Sequence, residues 1–167
     1  KMYNGIGASR GIGIGHICRI IEHDLSFEAK MVEDTEAEKK RFQKAIDSFV
    51  EDTNAMAEDI RKNIGPKDAE ILLGHAVMMS DPAMSGEMFK MIDSGQCAES
   101  ALTAVCDMFI GMFQNMEDEM MRHRASDISD VKISVLKKLL GIEDIDISKV
   151  PKGTVLVCKD LTPSMPS

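Results

Sequence analysis

The sequence predicts a mainly α-helical protein with a short β-strand near each end. From residue 34 to residue 141, apolar residues recur every three or four positions, which is the period of an amphipathic helix. A glycine-rich segment with alternating isoleucines precedes this stretch, and a β-branched segment follows it. Because a lone strand cannot satisfy its edges, we expect the two strands to meet, and further sheet to lie beyond residue 167.

The strands are predicted from local composition. Residues 1–21 hold five of the twelve glycines, which favours a turn near residues 8–11 and a strand up to Ile20. Near the other end, Pro151-Lys152-Gly153 is typical of a turn and residues 154–158 (T-V-L-V-C) of a strand.

Each helix has a recognisable start or stop. Asp34 and Thr35 can cap the first helix, and Thr35 with Glu38 predicts a capping box. Gly65-Pro66 predicts the end of the first helix and the start of the second, and Asp81-Pro82 the start of the third. Gly95 and Gly141 predict the ends of the third and last helices. The fourth helix is predicted from about Gln96 onward, with apolar residues at Leu102, Val105, Phe109, Met112 and Met116.

Charge and composition exclude several classes of protein. Twenty basic and 28 acidic residues leave a net charge of −8, which argues against nucleic-acid binding and favours a basic partner. No apolar run is long enough to cross a membrane. Four dispersed cysteines predict a reduced, cytoplasmic compartment without disulfides.

Residues 7–13 (G-A-S-R-G-I-G) resemble the phosphate loop of short-chain dehydrogenases. Three features count against a nucleotide site. Residues 1–6 are not a buried parallel strand, Tyr3 is the only tyrosine, and the helical stretch does not alternate with strands.

The histidines do not predict a metal site, because His16, His23, His75 and His123 have no metal-ligand spacing. His75 differs in placement, since it follows a glycine on an apolar helix. A hydrogen-bonded structural histidine and a functional one remain equally open. Met78 and Met79 cannot both face one core, so one is expected at a groove or at the surface.

Four segments in register resemble the amino-terminal half of enzyme I of the bacterial phosphoenolpyruvate-dependent sugar phosphotransferase system. Residues 5–15 are similar to G-h-x-A-S-P-G-h-A-h-G, and residues 74–81 (G-H-A-V-M-M-S-D) to G-H-x-x-h-L-x-D. Residues 124–131 (R-A-S-D-I-S-D-V) are similar to R-A-x-D-h-x-D-h, and residues 155–164 to h-h-h-A-x-D-L-x-P-S. Relatives that share the swivelling domain, such as pyruvate phosphate dikinase, fit the second and third segments less well.

The resemblance implies a fold class and a domain division. The fold is an antiparallel helical bundle, the HPr-binding subdomain, inserted into a phosphohistidine swivelling α/β domain that is truncated here. Residues 1–22 are then the first strand region of that α/β domain, residues 33–141 the helical subdomain, and residues 142–167 the return strand.

The resemblance also implies the chemistry of the parent enzyme. That enzyme takes phosphate from phosphoenolpyruvate onto a histidine and passes it to the phosphocarrier protein HPr. The phosphoacceptor lies in a G-G-x-T-S-H segment, expected beyond Ser167, so no catalytic residue and no metal ligand is predicted here. Phosphoenolpyruvate, magnesium and homodimerisation belong to the carboxy-terminal half, which leaves the fragment an inactive cytoplasmic monomer.

By the same resemblance, HPr binding falls on the first two helices and the start of the last. The predicted partner-binding residues are Asp68, Ile71, Leu72, His75, Met78, Met79, Asp81 and Arg124. Arg10 replaces the usual proline, and Pro82 and Ala83 replace further carboxylates, which reduces the expected electrostatic share of docking. The alternative is a non-catalytic helical adaptor module.

Overall fold

The computed structural model describes residues 7, 9–20, 23–63, 65–143 and 150–158, and it confirms a mainly helical protein. Within these residues there are five helices and two strands. In chain order they are β1 (His16–Arg19), α1 (Thr35–Asn63), α2 (Pro66–Ser80), α3 (Pro82–Asp93), α4 (Ala98–Gln114), α5 (Glu119–Leu140) and β2 (Thr154–Val157).

The chain divides into two compact units, one of Lys1–Glu22 with Ile145–Ser167 and one of His23–Asp144. In the first unit β1 and β2 pair in parallel, with His16 opposite Thr154 and Arg19 opposite Val157. The predicted meeting of the two strands is therefore confirmed, although β1 is shorter than expected. Parallel neighbours require a long connection, and residues 23–144 supply it.

Gly15 allows the backbones next to this strand pair to approach closely. A Cβ atom at Gly15 would lie 1.8 Å from the Gly153 carbonyl oxygen, which no other residue type could accommodate. Ala8, at the start of the predicted turn, lies outside the described residues.

All five helices contribute to the hydrophobic core of the second unit. α1 packs mainly against α2, and α4 mainly against α5. Phe42 of α1 meets Phe89 of α3 edge to face, with ring centroids 5.3 Å apart. The largest fully buried side chains include Phe42, Met79, Met88, Ile92, Leu102, Val131 and Val135.

Most of the predicted helix ends are confirmed. Pro66 and Pro82 occupy the first turns of α2 and α3, where the missing N–H costs nothing. Gly141 ends α5 in the left-handed conformation, with φ 68°. The capping box at α1 is wrong, because Asp34 Oδ1 accepts from the Ala37 N–H and Glu38 is engaged elsewhere.

Glu38 and Arg41 of α1 connect three helices. Glu38 Oε1 accepts from the Ala98 N–H at the start of α4, 2.8 Å away. Arg41 Nη2 donates at 2.7 Å to both Glu38 and Glu99, and Arg41 Nη1 donates to the Leu139 carbonyl of α5. The hydrogen bond from Arg41 lowers the pKa of Glu38, and the one to Glu38 raises the pKa of Arg41.

The methionines are divided between core and surface. Met84 and Met88 of α3 are buried, whereas Met112 and Met116 are 47% and 37% exposed. Met112 and Met116 continue the apolar period of the predicted fourth helix, yet they lie outside the core. Helical periodicity identifies an apolar face but not the element that covers it.

Candidate docking surface

The junction of α2 and α3 is formed by one residue with two roles. Asp81 has extended backbone angles that end α2, and its carboxylate accepts from the Ala83 N–H at 2.9 Å, capping α3. Asp81 is exposed, so the same carboxylate is accessible to solvent and to a partner.

The eight residues predicted to bind a partner have different environments. Ile71 is 52% exposed, Met78 is half-buried, and Asp81 and Arg124 are exposed. Leu72, His75 and Met79 are buried within the helical unit, with 5%, 4% and 0% of their surface exposed. The side chain of Asp68 lies outside the described part of the structure. The accessible members therefore come from α2, the α2–α3 junction and the start of α5.

α2 and α5 meet where the second and third sequence segments come together. His75 Nε2 of α2 lies 3.4 Å from Asp127 Oδ1 of α5. Asp130 is three positions further along α5; burial raises the pKa of its carboxyl group, and a positive charge on His75 opposes that rise. Arg124 is three positions before Asp127, so its exposed guanidinium lies one turn from this contact.

Four exposed methionines follow one another at intervals of four residues from α4 into α5. Met108 and Met112 of α4 are 55% and 47% exposed, Met116 follows α4, and Met120 in the first turn of α5 is 69% exposed. Their spacing of four residues is visible in the sequence, but the sequence alone does not show that these side chains are exposed. Flexible, polarizable methionine side chains are common on protein-binding surfaces. Ile71 and Val77 of α2 are further exposed apolar side chains.

Other features of the helical unit do not favour a cofactor site. A cleft of about 570 Å³ lies between α1 and the α2–α3 junction. Its described lining includes Asp47 and Glu51 but no basic side chain, which does not suit a phosphate-bearing ligand. The described residues contain no cluster of three potential metal ligands. None of the described helices is long and apolar enough to cross a membrane.

Comparison with known families identifies the chain. The family model described as PEP-utilising enzyme, N-terminal, matches residues 4–124. The chain belongs to this family. The resemblance drawn from the four sequence segments is thereby confirmed, although residues 5, 6, 8 and 159–164 of those segments lie outside the described structure.

Similar proteins share the name phosphoenolpyruvate-protein phosphotransferase. The Listeria innocua protein is 39% identical over 165 residues, which are 98% of this chain and 29% of the relative. The Bacillus subtilis protein is 38% identical over 161 residues, which are 96% of this chain and 28% of the relative. The chain therefore spans less than a third of the length of these curated relatives.

Solved structures agree with the fold. An NMR structure of an enzyme I protein superimposes with a TM-score of 0.88 at 28% identity, covering 97% of this chain and 66% of the other. The N-terminal domain of a nitrogen enzyme I superimposes with a TM-score of 0.73 at 20% identity, covering 92% and 63%. The second likeness supports the fold alone.

Proposed function

We propose that this chain is the HPr-docking part of a phosphoenolpyruvate-protein phosphotransferase. The observation that carries the proposal is a set of accessible side chains, Ile71, Met78, Asp81 and Arg124, the last three of which lie in two of the matched sequence segments. The apolar side chains and the Asp81 carboxylate suit a partner with a basic rim around an apolar patch. The names of the relatives support the same assignment.

The parallel strand pair supports the rest of the proposed architecture. Because residues 23–144 connect β1 to a neighbouring parallel strand, the helical unit is a long insertion between two strands of one sheet. This topology agrees with a docking subdomain inserted into a phosphohistidine α/β domain. In the parent enzyme, we propose, that domain moves phosphate from phosphoenolpyruvate to HPr.

The role of the chain itself is docking rather than phosphate transfer. His75 is buried against Asp127, and none of the four histidines has the G-G-x-T-S-H context that the resemblance implies for a phosphoacceptor. Magnesium binding and dimerisation are proposed for other parts of the parent enzyme, which we place in the cytoplasm. HPr is thus the partner proposed for these 167 residues.

Leu72, His75 and Met79 are buried, so the proposed contact surface for HPr does not include their side chains. Leu72 and Met79 belong to the packed interior, so their proposed role is to support Ile71 and Met78 from beneath. Met112 and Met116 are added as candidate contacts, because they offer exposed apolar surface on the helix pair that carries Arg124. Buried anchors surrounded by polar residues are typical of energetic centres in interfaces.

The decisive experiment is a titration of the isotope-labelled chain with HPr from the same organism, followed by amide NMR. We expect concentration-dependent shifts in residues 66–82, near Arg124 and around Met112. Amides of β1 serve as the internal control and should not move. No shifts at millimolar HPr would contradict the proposal, as would equal shifts with an unrelated basic protein of the same size.

A further inference from the structure

The contact between His75 and Asp127 adds a link between two helix pairs, α1–α2 and α4–α5, that also share the hydrophobic core and contacts between α1 and α5. α2 packs mainly against α1, and α5 mainly against α4. The proposed docking surface is therefore divided, with Met78 on one pair and Arg124 on the other. Any sliding of one pair against the other would change the distance between these two side chains.

The burial of His75 destabilises the fold unless its ring nitrogen finds a hydrogen-bond partner. Its side chain is 5% exposed, and within the described residues its Nε2 atom has no hydrogen-bond partner. A buried polar atom without a partner destabilises a protein, because its lost hydration is not replaced. Asp127 Oδ1 lies 3.4 Å from this atom, so a small side-chain movement completes a bond of ordinary length.

The chemistry of the pair allows a bond in either state of the ring. A neutral imidazole with its proton on Nε2 and an imidazolium can both donate to a carboxylate. Asp130 adds a second carboxylate on the same face of α5. The side chain of Asp127 is 35% exposed, so this carboxylate lies between the buried ring and solvent.

We propose that His75 is a positioning residue that holds α2 against α5 through Asp127. Met78 lies three positions after His75, and Arg124 lies three positions before Asp127. Met78 and Arg124 are thus each about one helical turn from the contact. The contact therefore sets the distance between Met78 and Arg124. The consequence for docking rests on the proposed function, whereas the link between the helices rests on the geometry of the free chain.

The test compares variants that keep or remove the bond. His75→Leu replaces the ring by an apolar side chain, His75→Gln keeps a donor, and Asp127→Ala removes the acceptor at a partly exposed position. The matched control is Asp52→Ala, because Asp52 also forms an ion pair with α5, through Lys138. Residual dipolar couplings of the free chain report the orientation of α2 relative to α5, and stopped-flow kinetics with HPr report docking.

We expect His75→Leu and Asp127→Ala to change the orientation of α2 relative to α5 and to speed HPr dissociation roughly tenfold. The double variant with both His75→Leu and Asp127→Ala should dissociate from HPr no faster than either single variant, because both changes remove the same bond. His75→Gln and Asp52→Ala should keep the native orientation and dissociation rate. Asp127→Ala keeps the test valid if His75→Leu does not fold.

Two outcomes would overturn the proposal. One is an unchanged orientation of α2 relative to α5 in Asp127→Ala, and the other is an equal change of orientation and dissociation rate in His75→Gln and His75→Leu. A changed orientation in a chain that never binds HPr would support the positioning role and contradict the proposed function. If the variants keep the native helix orientation and the chain binds HPr normally, the proposed function is supported and the positioning role of His75 is contradicted.

Discussion

At the scale of single residues, neighbours on α2 have opposite environments. Met79 is completely buried in the core, whereas Met78 is half-buried. Successive helical residues are rotated by about 100°, so one methionine supports the fold while the other is available to a partner. The two side chains are therefore a matched pair for separating binding from stability.

The first prediction uses this pair. Met78→Ala should weaken HPr docking by about 1 kcal/mol or more, as expected for an anchor at an interface centre, and should lower the free energy of unfolding less than Met79→Ala, because Met78 is only partly buried where it packs against the core. Met79→Ala should lower the free energy of unfolding by about 2–5 kcal/mol, because it leaves a cavity in the core. Calorimetric titration and urea unfolding measure the two effects. Equal docking losses in both variants, corrected for unfolding, would contradict the assignment.

Asp81 combines a cap with a surface charge, and two variants separate them. Asp81→Lys should slow HPr association, most strongly in low salt, and should lower stability by about 1 kcal/mol through loss of the cap. Asp81→Asn keeps a capping side chain, so it should slow association with little loss of stability. Stopped-flow rates at several salt concentrations and thermal unfolding test both. A low-salt association rate unchanged in Asp81→Lys would refute electrostatic steering.

At the scale of helices, one helix is capped by a residue from another. Cys97, which precedes α4, makes no side-chain cap, and Glu38 of α1 accepts the Ala98 N–H instead. Glu38 also binds Arg41, which reaches Glu99 and the end of α5. The start of α4 therefore depends on the correct packing of α1, which couples local and tertiary structure.

Glu38 should make stability depend on acid pH. Its pKa is lowered from the ordinary 4.5 by the hydrogen bond from Arg41, so its contribution is complete above about pH 4.5 and is lost as the pH falls through the folded-state pKa. Glu38→Gln should cost about 1–3 kcal/mol at pH 7, and its unfolding curve should approach that of the parent in acid. The control Glu36→Gln removes an exposed carboxylate from the same turn. A difference in unfolding free energy between Glu38→Gln and the parent chain that stays constant across pH would contradict this role of Glu38.

Two glycines should respond to alanine in opposite directions. Gly141 has φ 68° at the end of α5, so Gly141→Ala should destabilise by about 1 kcal/mol. Gly86 lies inside α3, with no atom within 4 Å of a built Cβ, so Gly86→Ala should stabilise by about 0.5–1 kcal/mol. Denaturant unfolding of the two variants measures both changes. A stabilising Gly141→Ala would show that α5 does not end in this conformation.

At the scale of the whole molecule, burial divides the cysteines into two classes. Cys97 and Cys106 are buried in the helical unit, whereas Cys18 and Cys158 are half-buried near the paired strands. Burial raises the pKa of the Cys106 thiol to about 12, so its reactive thiolate is scarce at neutral pH. The two units thus differ in chemical accessibility as well as in secondary structure.

Alkylation should reveal this division. Iodoacetamide at neutral pH should modify Cys18 and Cys158 in the native protein, and Cys97 and Cys106 only after unfolding. Mass spectrometry of tryptic peptides over time measures each rate. Modification of Cys106 as fast as Cys18 under native conditions would contradict the packing of α4 against α5.

The sequence by itself determined the helices, their ends and the strands, because apolar period, proline and glycine act over a few residues. Pro66, Asp81 and Gly141 mark real boundaries for this reason. The four matched segments also identified the family. Of the candidate site, the sequence did not show which side chains of α2 are accessible, and partner binding on this helix stays a prediction.

Only the tertiary structure decided matters that depend on distant residues. The capping of α4 by Glu38 joins positions 60 residues apart, and the contact of His75 with Asp127 joins two separate motifs. Met112 and Met79 have similar apolar character, yet one is exposed and the other is buried. Burial depends on which element packs against a face, and that choice is made only when all the helices are assembled together.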